Sequence, residues 1–379
     1  MVKYFVFLNL AQAILRIMQY SRNFYIIVFM SSLGKISSYR ILERIAEGGM
    51  AEVFLAMSQG VGKVNKFVAI KRVLQRHAGN PELRQMFNDE AMATIQLRHS
   101  NVATVYDFGE EQGQGYLVME FVDGKNVARF RQEIFQKRSQ LPIQFALYIA
   151  RETAAGLSYI HQFKDLQTGR PMNLIHRDLS PHNILIGREG DIKIIDFGVA
   201  KSDFSESKTS YGTIKGKLAY LSPEQLLYQH VDHRTDLFSL GVILWELLTN
   251  QRLFNLQVQE DYFNQLREFK MPDPRPLNSK IDDRLYGILE NLLQLKPGNR
   301  YSNAQALYKD LNHYLNVHFP DFSSDQFASF IHQTLPEWSE IQKKYMTETH
   351  PNDATKLIEV SVNDGSIFRM KRTYRVVHE

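Results

Sequence analysis

The stretch IHRDLSPHN (175–183) places a carboxylate, Asp178, five residues before a carboxamide, Asn183. Between them lies Ser180, at a position where phosphate chemistry would usually need a positive charge. The stretch therefore raises two questions. One is which reaction uses an acid and an amide at this spacing, and the other is which group replaces the missing cation.

A lysine, Lys71, ends the segment VAIK (68–71), which lies in a stretch rich in alternating and β-branched residues. That pattern predicts a strand. Period two puts Lys71 and Ala69 on one face of the strand, with Val68 and Ile70 on the other. A lysine beside a small residue is placed to face a cleft, although most strand lysines are simply solvated.

An acid, Glu90, lies in a helix predicted over about residues 81–97. It shares a face with Ala93 and Leu97. An acid on an apolar face is costly unless it is paired, and Lys71 is the natural candidate partner. The alternative is a solvated glutamate at the boundary of the helix.

Two kinds of scaffold must position these residues. Residues 38–73 predict three strands, and NVATVYDFGEE and GYLVMEFVDG predict two more. Beyond Gly124 the pattern becomes helical: residues 145–161 are amphipathic, and SLGVILWELLT (239–249) is apolar nearly all round, which predicts a buried helix. Between those helices a short strand, DIKIIDFGVAK, ends in Asp196-Phe197-Gly198.

Composition excludes several classes of protein. The 379 residues are 44% hydrophobic, enough for a substantial core, and carry 45 basic and 41 acidic side chains. This near balance of charge does not indicate the basic surface that binds nucleic acid. Because the chain has no cysteine, disulfides, thiolate metal sites and thiol catalysis are excluded, which suits a reducing cytoplasm.

The N-terminal segment 1–30 is apolar but interrupted by charges, and its uncharged runs are shorter than a spanning helix needs. Three interpretations stay open. Met30 is the true start, or the segment is an interfacial anchor that contacts a membrane peripherally, or it is a cleaved signal peptide.

Taken together, these residues closely resemble the protein kinase family over about residues 39–316. The matching segments are HRDLSPHN for the catalytic loop, Asp196-Phe197-Gly198 for the metal-binding DFG, VAIK with Glu90 for the phosphate anchor, Ser222-Pro223-Glu224 for the APE segment, then Asp236 and Arg300. They appear in the family's order and spacing. The amino-acid sequences of these segments most resemble those of bacterial serine/threonine kinases.

The resemblance implies an α+β, bilobal protein-kinase fold. A small lobe of five antiparallel strands and one helix (39–122) would precede a larger, mainly helical lobe (123–316). Residues 1–38 would form a hydrophobic leader, and residues 317–379 a C-terminal helical extension and tail that caps the lower lobe or binds a partner.

The resemblance also implies chemistry. Lys71, held by Glu90, would bind the α- and β-phosphates of ATP, while Asn183 and Asp196 would carry Mg²⁺, or Mn²⁺ in its place. Asp178 would orient the hydroxyl of a protein substrate. The nucleotide would contact these residues: Ile45, Ala46, Glu47, Gly48, Gly49, Met50, Ala51, Glu52, Val53, Ala69, Lys71, Met119, Glu120 and Val122.

The glycine-rich loop departs from the family pattern, because Ala46 and Ala51 replace its outer glycines. Each alanine adds a methyl group and restricts φ. The tip keeps Gly48 and Gly49, so we expect ATP to bind, with reduced affinity.

The catalytic loop departs at Ser180, where serine/threonine kinases carry a lysine. Lys217 departs in the opposite sense, because the family usually has a threonine there. Our hypothesis is that the two side chains exchange roles around Asp178. The alternative is that Lys217 points to solvent.

Regulation is inferred from Arg177, which directly precedes Asp178 and in the family accompanies phosphorylation of the activation loop. The candidate acceptors are Thr209, Ser210 and Thr213. Glu224 and Arg300 would form a buried ion pair, and Asp236 would cap the backbone of the catalytic loop.

Three functional classes remain. The first is an active, cytoplasmic serine/threonine protein kinase that uses ATP and also phosphorylates its own activation loop. The second is a pseudokinase or scaffold, motivated by Ala46, Ala51 and Ser180. The third is a small-molecule phosphotransferase, whose relatives typically lack the SPE segment found here. Pro181 favours serine and threonine over tyrosine as acceptors.

Overall fold

The computed structural model describes residues 35–59, 65–138, 140–197, 218–254, 262, 264–266, 269–339, 357–361 and 367–371. The chain divides into two units. One is Ser32–Ile341, and the other combines Met1–Ser31 with Gln342–Glu379. The candidate site lies in the first unit.

An antiparallel sheet forms the N-terminal part of that unit. Its strands are β1 (Lys35–Ile36), β2 (Tyr39–Glu47), β3 (Ala51–Gln59), β4 (Asn65–Val73), β5 (Val105–Glu111) and β6 (Gln114–Glu120), in the order β1-β2-β3-β4-β6-β5. The five predicted strands are present, but the sheet has six. The extra strand, β1, folds back onto β2 around Ser37 (φ 53°) because this buries Ile36 in the sheet's apolar cluster.

The two faces of β4 are buried differently, as its alternation predicts. Val68 and Ile70 pack into one apolar cluster, and Ala69 packs into another with Phe87 of the adjacent helix. Lys71 therefore emerges on the helix side of the sheet.

The helix α1 (Pro81–Thr94) begins sharply, because Asn80 accepts hydrogen bonds from the N–H groups of Glu82 and Leu83 and Pro81 occupies the first turn. It ends three residues before the predicted Leu97. The chain continues there as a turn in which the Leu97 N–H bonds the Thr94 carbonyl.

The C-terminal part of the unit is mainly helical. Its elements are β7 (Gly124–Asn126), α2 (Val127–Lys137), α3 (Ile143–His161), β8 (Ile184–Gly187), β9 (Ile192–Ile194), α4 (Pro223–Leu226), α5 (Arg234–Thr249), α6 (Asp283–Leu292) and α7 (Ala304–His318). Strands β7, β8 and β9 form a small sheet, with Asn183 directly before β8 and Asp196 shortly after β9. Helix α5 is buried over nearly its whole length, as its all-round apolar sequence predicts.

Residues after α7 form α8 (Ser324–Thr334) and a 3₁₀ turn (Pro336–Ser339). The Phe327 ring lies 5.2 Å from Phe145 of α3, so this extension packs on the helical core. In the second unit, β10 (Leu357–Ser361) pairs with β11 (Ile367–Lys371), a hairpin that the polar tail sequence did not predict. Among the described residues, no helix has the length and apolar character to cross a membrane.

Candidate active site

Lys71 joins three parts of the chain. Its Nζ lies 2.7 Å from Glu90 Oε1 of α1 and 2.9 Å from Asp196 Oδ1 after β9. Glu90 is buried, so the alternative of a solvated boundary glutamate does not describe it. The Lys71–Asp196 contact links residues 125 positions apart and brings both scaffolds to one point.

The electrostatics of this cluster keep Lys71 charged. Burial alone would lower the pKa of its ammonium group, but the carboxylates of Asp196 and Glu90 outweigh burial and raise that pKa above its ordinary value. A positive charge at this position, beside the half-buried Asp196, is suited to holding an anionic ligand.

Asp178 and Asn183 are fixed to each other. The Asn183 side-chain N–H donates to the Asp178 carbonyl at 2.8 Å and to Asp178 Oδ2 at 3.1 Å. The Ile195 N–H donates to the Asn183 carbonyl at 3.0 Å, which brings the loop against the segment that carries Asp196. Since its amide nitrogen bonds Asp178, the side-chain oxygen of Asn183 is the atom that would serve as a metal ligand.

This donor set fits Mg²⁺. Among the described residues no cluster of three or more His, Cys, Asp or Glu side chains gathers as a metal site. Mg²⁺ is commonly held by one or two protein oxygen ligands together with phosphate oxygens. Asn183 and Asp196 would supply such ligands, and the nucleotide would supply the rest.

Asp236 holds the backbone of the catalytic loop by hydrogen bonds. Its Oδ2 accepts the His176 N–H and its Oδ1 the Arg177 N–H, both at 2.9 Å. Burial alone would raise the pKa of Asp236. The hydrogen bond from His161 and the N–H of His176 outweigh burial, so the pKa is lowered. The carboxylate that caps the loop therefore stays ionised.

Two residues of the site adopt the left-handed backbone region, Arg177 with φ 62° and Asp196 with φ 55°. Non-glycine residues rarely do so unless the surroundings hold them there. His176, to which the sequence assigned no role, provides part of that support. Its Nε2 lies 3.0 Å from the Ile195 carbonyl, and its ring centroid lies 5.2 Å from that of Phe197.

Ser180 is buried beside these residues, and its carbonyl accepts the Asn183 N–H at 2.9 Å. In the part of the chain that the structure describes, its hydroxyl has no hydrogen-bond partner. Lys217, Thr209, Ser210 and Thr213 lie outside the described residues.

Three of the residues predicted to contact the nucleotide lie on one apolar surface. Ala69 and Met119 are cross-strand partners on β4 and β6, and Val53 packs against the same cluster. The Glu120 carboxylate is engaged elsewhere, 2.8 Å from Lys193 Nζ and 3.1 Å from the Thr104 N–H. The side chain of Glu120 is therefore held by the protein rather than directed at a ligand.

The glycine-rich loop joins β2 to β3, and the Gly48 N–H donates to the Ala51 carbonyl at 2.8 Å. Ile45, Ala46 and Glu47 are exposed, whereas Ala51 is buried. The Glu52 carboxylate pairs with Arg72 of β4 at 2.9 Å. The side chain of Glu52 is thus committed to the sheet.

The SPE segment is anchored by Arg300, whose Nη1 lies 2.7 Å from Glu224 Oε1 while its Nη2 lies 2.8 Å from Oε2. The next residue, Gln225, donates from Nε2 to the Arg177 carbonyl at 2.8 Å. Nothing in the sequence indicates a function for Gln225, and only this tertiary contact reveals one.

Comparison with known proteins agrees with this geometry. The family model of the protein kinase domain matches residues 39–311. Tyrosine-protein kinase MasK of Myxococcus xanthus is 34% identical over 77% of this chain and 45% of its own length. A probable serine/threonine-protein kinase of Clostridium perfringens is 33% identical over 74% of this chain and 39% of its own. The chain thus spans less than half the length of these two relatives.

Solved structures show the same fold. The crystal structure of the PknI kinase domain of Mycobacterium tuberculosis covers 76% of this chain and 99% of its own, with a TM-score of 0.56 and 23% sequence identity. The ordered motifs, the shared architecture and the family match lead to one conclusion: the chain belongs to the protein kinase family, and it resembles bacterial members of that family.

Proposed function

We propose that the chain is an active protein kinase that transfers the γ-phosphate of ATP to serine or threonine hydroxyls of proteins. The observation that carries this proposal is the double contact of Lys71 with Glu90 and Asp196, beside the Asp178–Asn183 pair. Phosphoryl transfer depends mainly on positioning and on neutralising charge, and this arrangement supplies groups for both.

Each residue has one task in the proposed reaction. Lys71 binds the α- and β-phosphates, and Asp178 accepts the hydrogen bond of the substrate hydroxyl and finally its proton. The hydroxyl oxygen bonds to the γ-phosphorus as the bond to the ADP oxygen breaks. Mg²⁺, when bound, neutralises charge on the phosphates. Asn183 holds Asp178 in position and thereby fixes the nucleophile relative to the metal ligands.

A pseudokinase is the main alternative, motivated by Ala46, Ala51 and Ser180. Two observations count against it. The Lys71–Glu90 pair is formed, and the carboxylate of Asp178 is oriented by Asn183. Both contacts hold side chains in the positions that phosphoryl transfer requires, which favours an active enzyme over a scaffold.

The choice of acceptor is decided by experiment. Incubation of the purified chain with labelled ATP, Mg²⁺ and a generic protein acceptor is expected to give phosphoserine and phosphothreonine on acid hydrolysis, because Pro181 is typical of serine/threonine kinases. Mapping the same sample is expected to place phosphate on Thr209 or Thr213. Phosphotyrosine as the main product would refute the acceptor class, and an unlabelled activation segment would refute self-phosphorylation.

Ser180 and Lys217 provide a second test. If they exchange roles around Asp178, Lys217→Ala should lower the turnover number by about tenfold to a hundredfold, since a hydrogen bond to a charged group is lost near the transferred phosphate. Ser180→Ala should give a smaller loss. Steady-state kinetics of both variants checks this.

The matched control for that test is Lys164→Ala, an exposed lysine on the turn after α3. It should leave the turnover number unchanged. Near-normal turnover of Lys217→Ala would refute the exchange, and the lysine would then be a solvated side chain.

Partners and location follow from the proposed reaction. The substrates would be cytoplasmic proteins, because ATP and Mg²⁺ are available there. A peripheral membrane contact through residues 1–30 stays a prediction, and those residues lie outside the described part of the chain. The packing of Phe327 on Phe145 favours a structural role for the start of the C-terminal extension.

A further inference from the structure

The tip of the glycine-rich loop is hydrogen-bonded to the segment between β4 and α1. We call these hydrogen bonds from residues 74–77 the tether. The Gly49 carbonyl lies 3.0 Å from His77 Nε2 and accepts a hydrogen bond from Arg76 Nη2 at 3.3 Å. The next carbonyl, that of Met50, accepts the Leu74 N–H at 3.0 Å. Two successive peptide groups of the loop are therefore held by donors from residues 74–77.

The proton of His77 is assigned by these contacts. Arg76 Nε donates toward the same Nε2 atom at 3.3 Å, which needs Nε2 without a proton. The Gly49 carbonyl at 3.0 Å can only accept and needs a proton there, so only one of the two contacts is made at a time. A proton on Nε2 satisfies the shorter contact. His77 then acts as a donor to the loop whether its ring is neutral or charged.

This tether fixes the direction of two N–H groups. A trans peptide group is planar, so its N–H points opposite to its C=O. With the Gly49 and Met50 carbonyls turned toward residues 74–77, the N–H groups of Met50 and Ala51 point away from them. The described register pairs Ala51 with Val73 and Glu47 with Glu52. Because the Leu74 N–H bonds the Met50 carbonyl, Ala51 and Val73 form a pair that is not hydrogen-bonded, so the N–H of Ala51 points away from β4.

We propose that Arg76 and His77 are positioning residues that set the phosphate-binding conformation of this loop. The inference rests on the proposed use of ATP. Backbone N–H groups in such loops bind phosphate oxygens, and glycine normally lets the backbone adapt to the ligand. Here Ala46 and Ala51 limit that adaptation, and the tether instead fixes the tip before the nucleotide arrives, which lowers the ordering cost of binding.

A nucleotide series tests the proposal. For the full chain carrying Arg76→Ala and His77→Ala together, the dissociation constant of ATP should rise about tenfold, because two hydrogen bonds that orient the loop are lost. The dissociation constant of adenosine should not change, since adenosine has no phosphate. Titration calorimetry with ATP, ADP and adenosine measures all three.

Matched variants separate positioning from general damage. Residues Gln75–His77 form a 3₁₀ turn. Gln75→Ala changes an exposed residue of this turn and should bind ATP normally. Compared with His77→Ala, His77→Gln keeps a side-chain N–H donor and should recover part of the lost affinity for ATP. His77→Phe has no such donor and should not recover it. Thermal melting is recorded for each variant.

Three results would overturn the inference: unchanged ATP affinity in the double variant, an equal loss of adenosine affinity, or wild-type chain that binds adenosine but not ATP. The proposed kinase activity is judged separately. If the wild-type chain binds ATP through the tethered loop yet transfers no phosphate, the tether is upheld and the proposed function fails.

Discussion

Replacing Asp178 with asparagine is expected to lower the rate of phosphoryl transfer about a thousandfold, because a positioned proton acceptor contributes roughly 10²- to 10⁴-fold to such reactions. The change is nearly isosteric. Asparagine keeps an oxygen that can accept the hydrogen bond now made by Asn183 Nδ2 to Asp178 Oδ2 at 3.1 Å. The affinity for ATP should therefore stay close to that of the wild type, and the loss should appear in the turnover number.

The measurement is a comparison of turnover numbers and of ATP dissociation constants for the two proteins. Asp325→Asn, an exposed acid on α8, makes the same chemical change away from the site and should keep full activity. Transfer by Asp178→Asn at the wild-type rate would show that Asp178 is not the acceptor. A wild-type chain that binds ATP without turning it over would identify a pseudokinase.

Local periodicity predicts the faces on which Lys71 and Glu90 lie, whereas their pairing follows from the family resemblance, since the pattern alone also fits a solvated glutamate. The alternation of β4 placed Lys71 beside Ala69, and the helical spacing of Glu90 put an acid on an apolar face that needed a partner. The structure pairs the two at 2.7 Å. Both inferences depend only on repeats of two and 3.6 residues, which the chain determines locally.

Other features of the site depend on tertiary packing and have no local signal. The contact of Asp196 with Lys71, the bond from Gln225 to the Arg177 carbonyl and the tether of Gly49 each join distant or differently folded segments. The backbone of Arg177 at φ 62° is likewise imposed by its neighbours. Such contacts need the fold before they can be seen.

The errors in element boundaries have the same origin. The two-residue strand β1 is too short to show alternation, and it exists because Ile36 is buried when the chain turns back at Ser37. Helix α1 stops at Thr94 although its apolar spacing runs on to Leu97. Leu97 remains buried in the turn that follows, so the pattern of burial outlasts the helix.

Replacing Arg300 with methionine is expected to lower the free energy of unfolding by about 3–5 kcal/mol, the usual cost of stranding one partner of a buried ion pair. The Arg300 side chain is 0% exposed and Glu224 2%. Arg300 also donates to the carbonyls of the half-buried Gln294 and Leu295, so its loss leaves further acceptors without this donor. Chemical denaturation of the wild type and the variant measures the difference.

A second substitution distinguishes an unpaired charge from lost packing. Adding Glu224→Gln to Arg300→Met removes the stranded carboxylate, so the double variant should recover part of the stability lost by the single one. Arg275→Met, which removes a half-buried arginine 2.7 Å from the exposed Asp273, should cost far less because water solvates the carboxylate left behind. If Arg300→Met cost no more than Arg275→Met, the pair would not be what anchors the SPE segment.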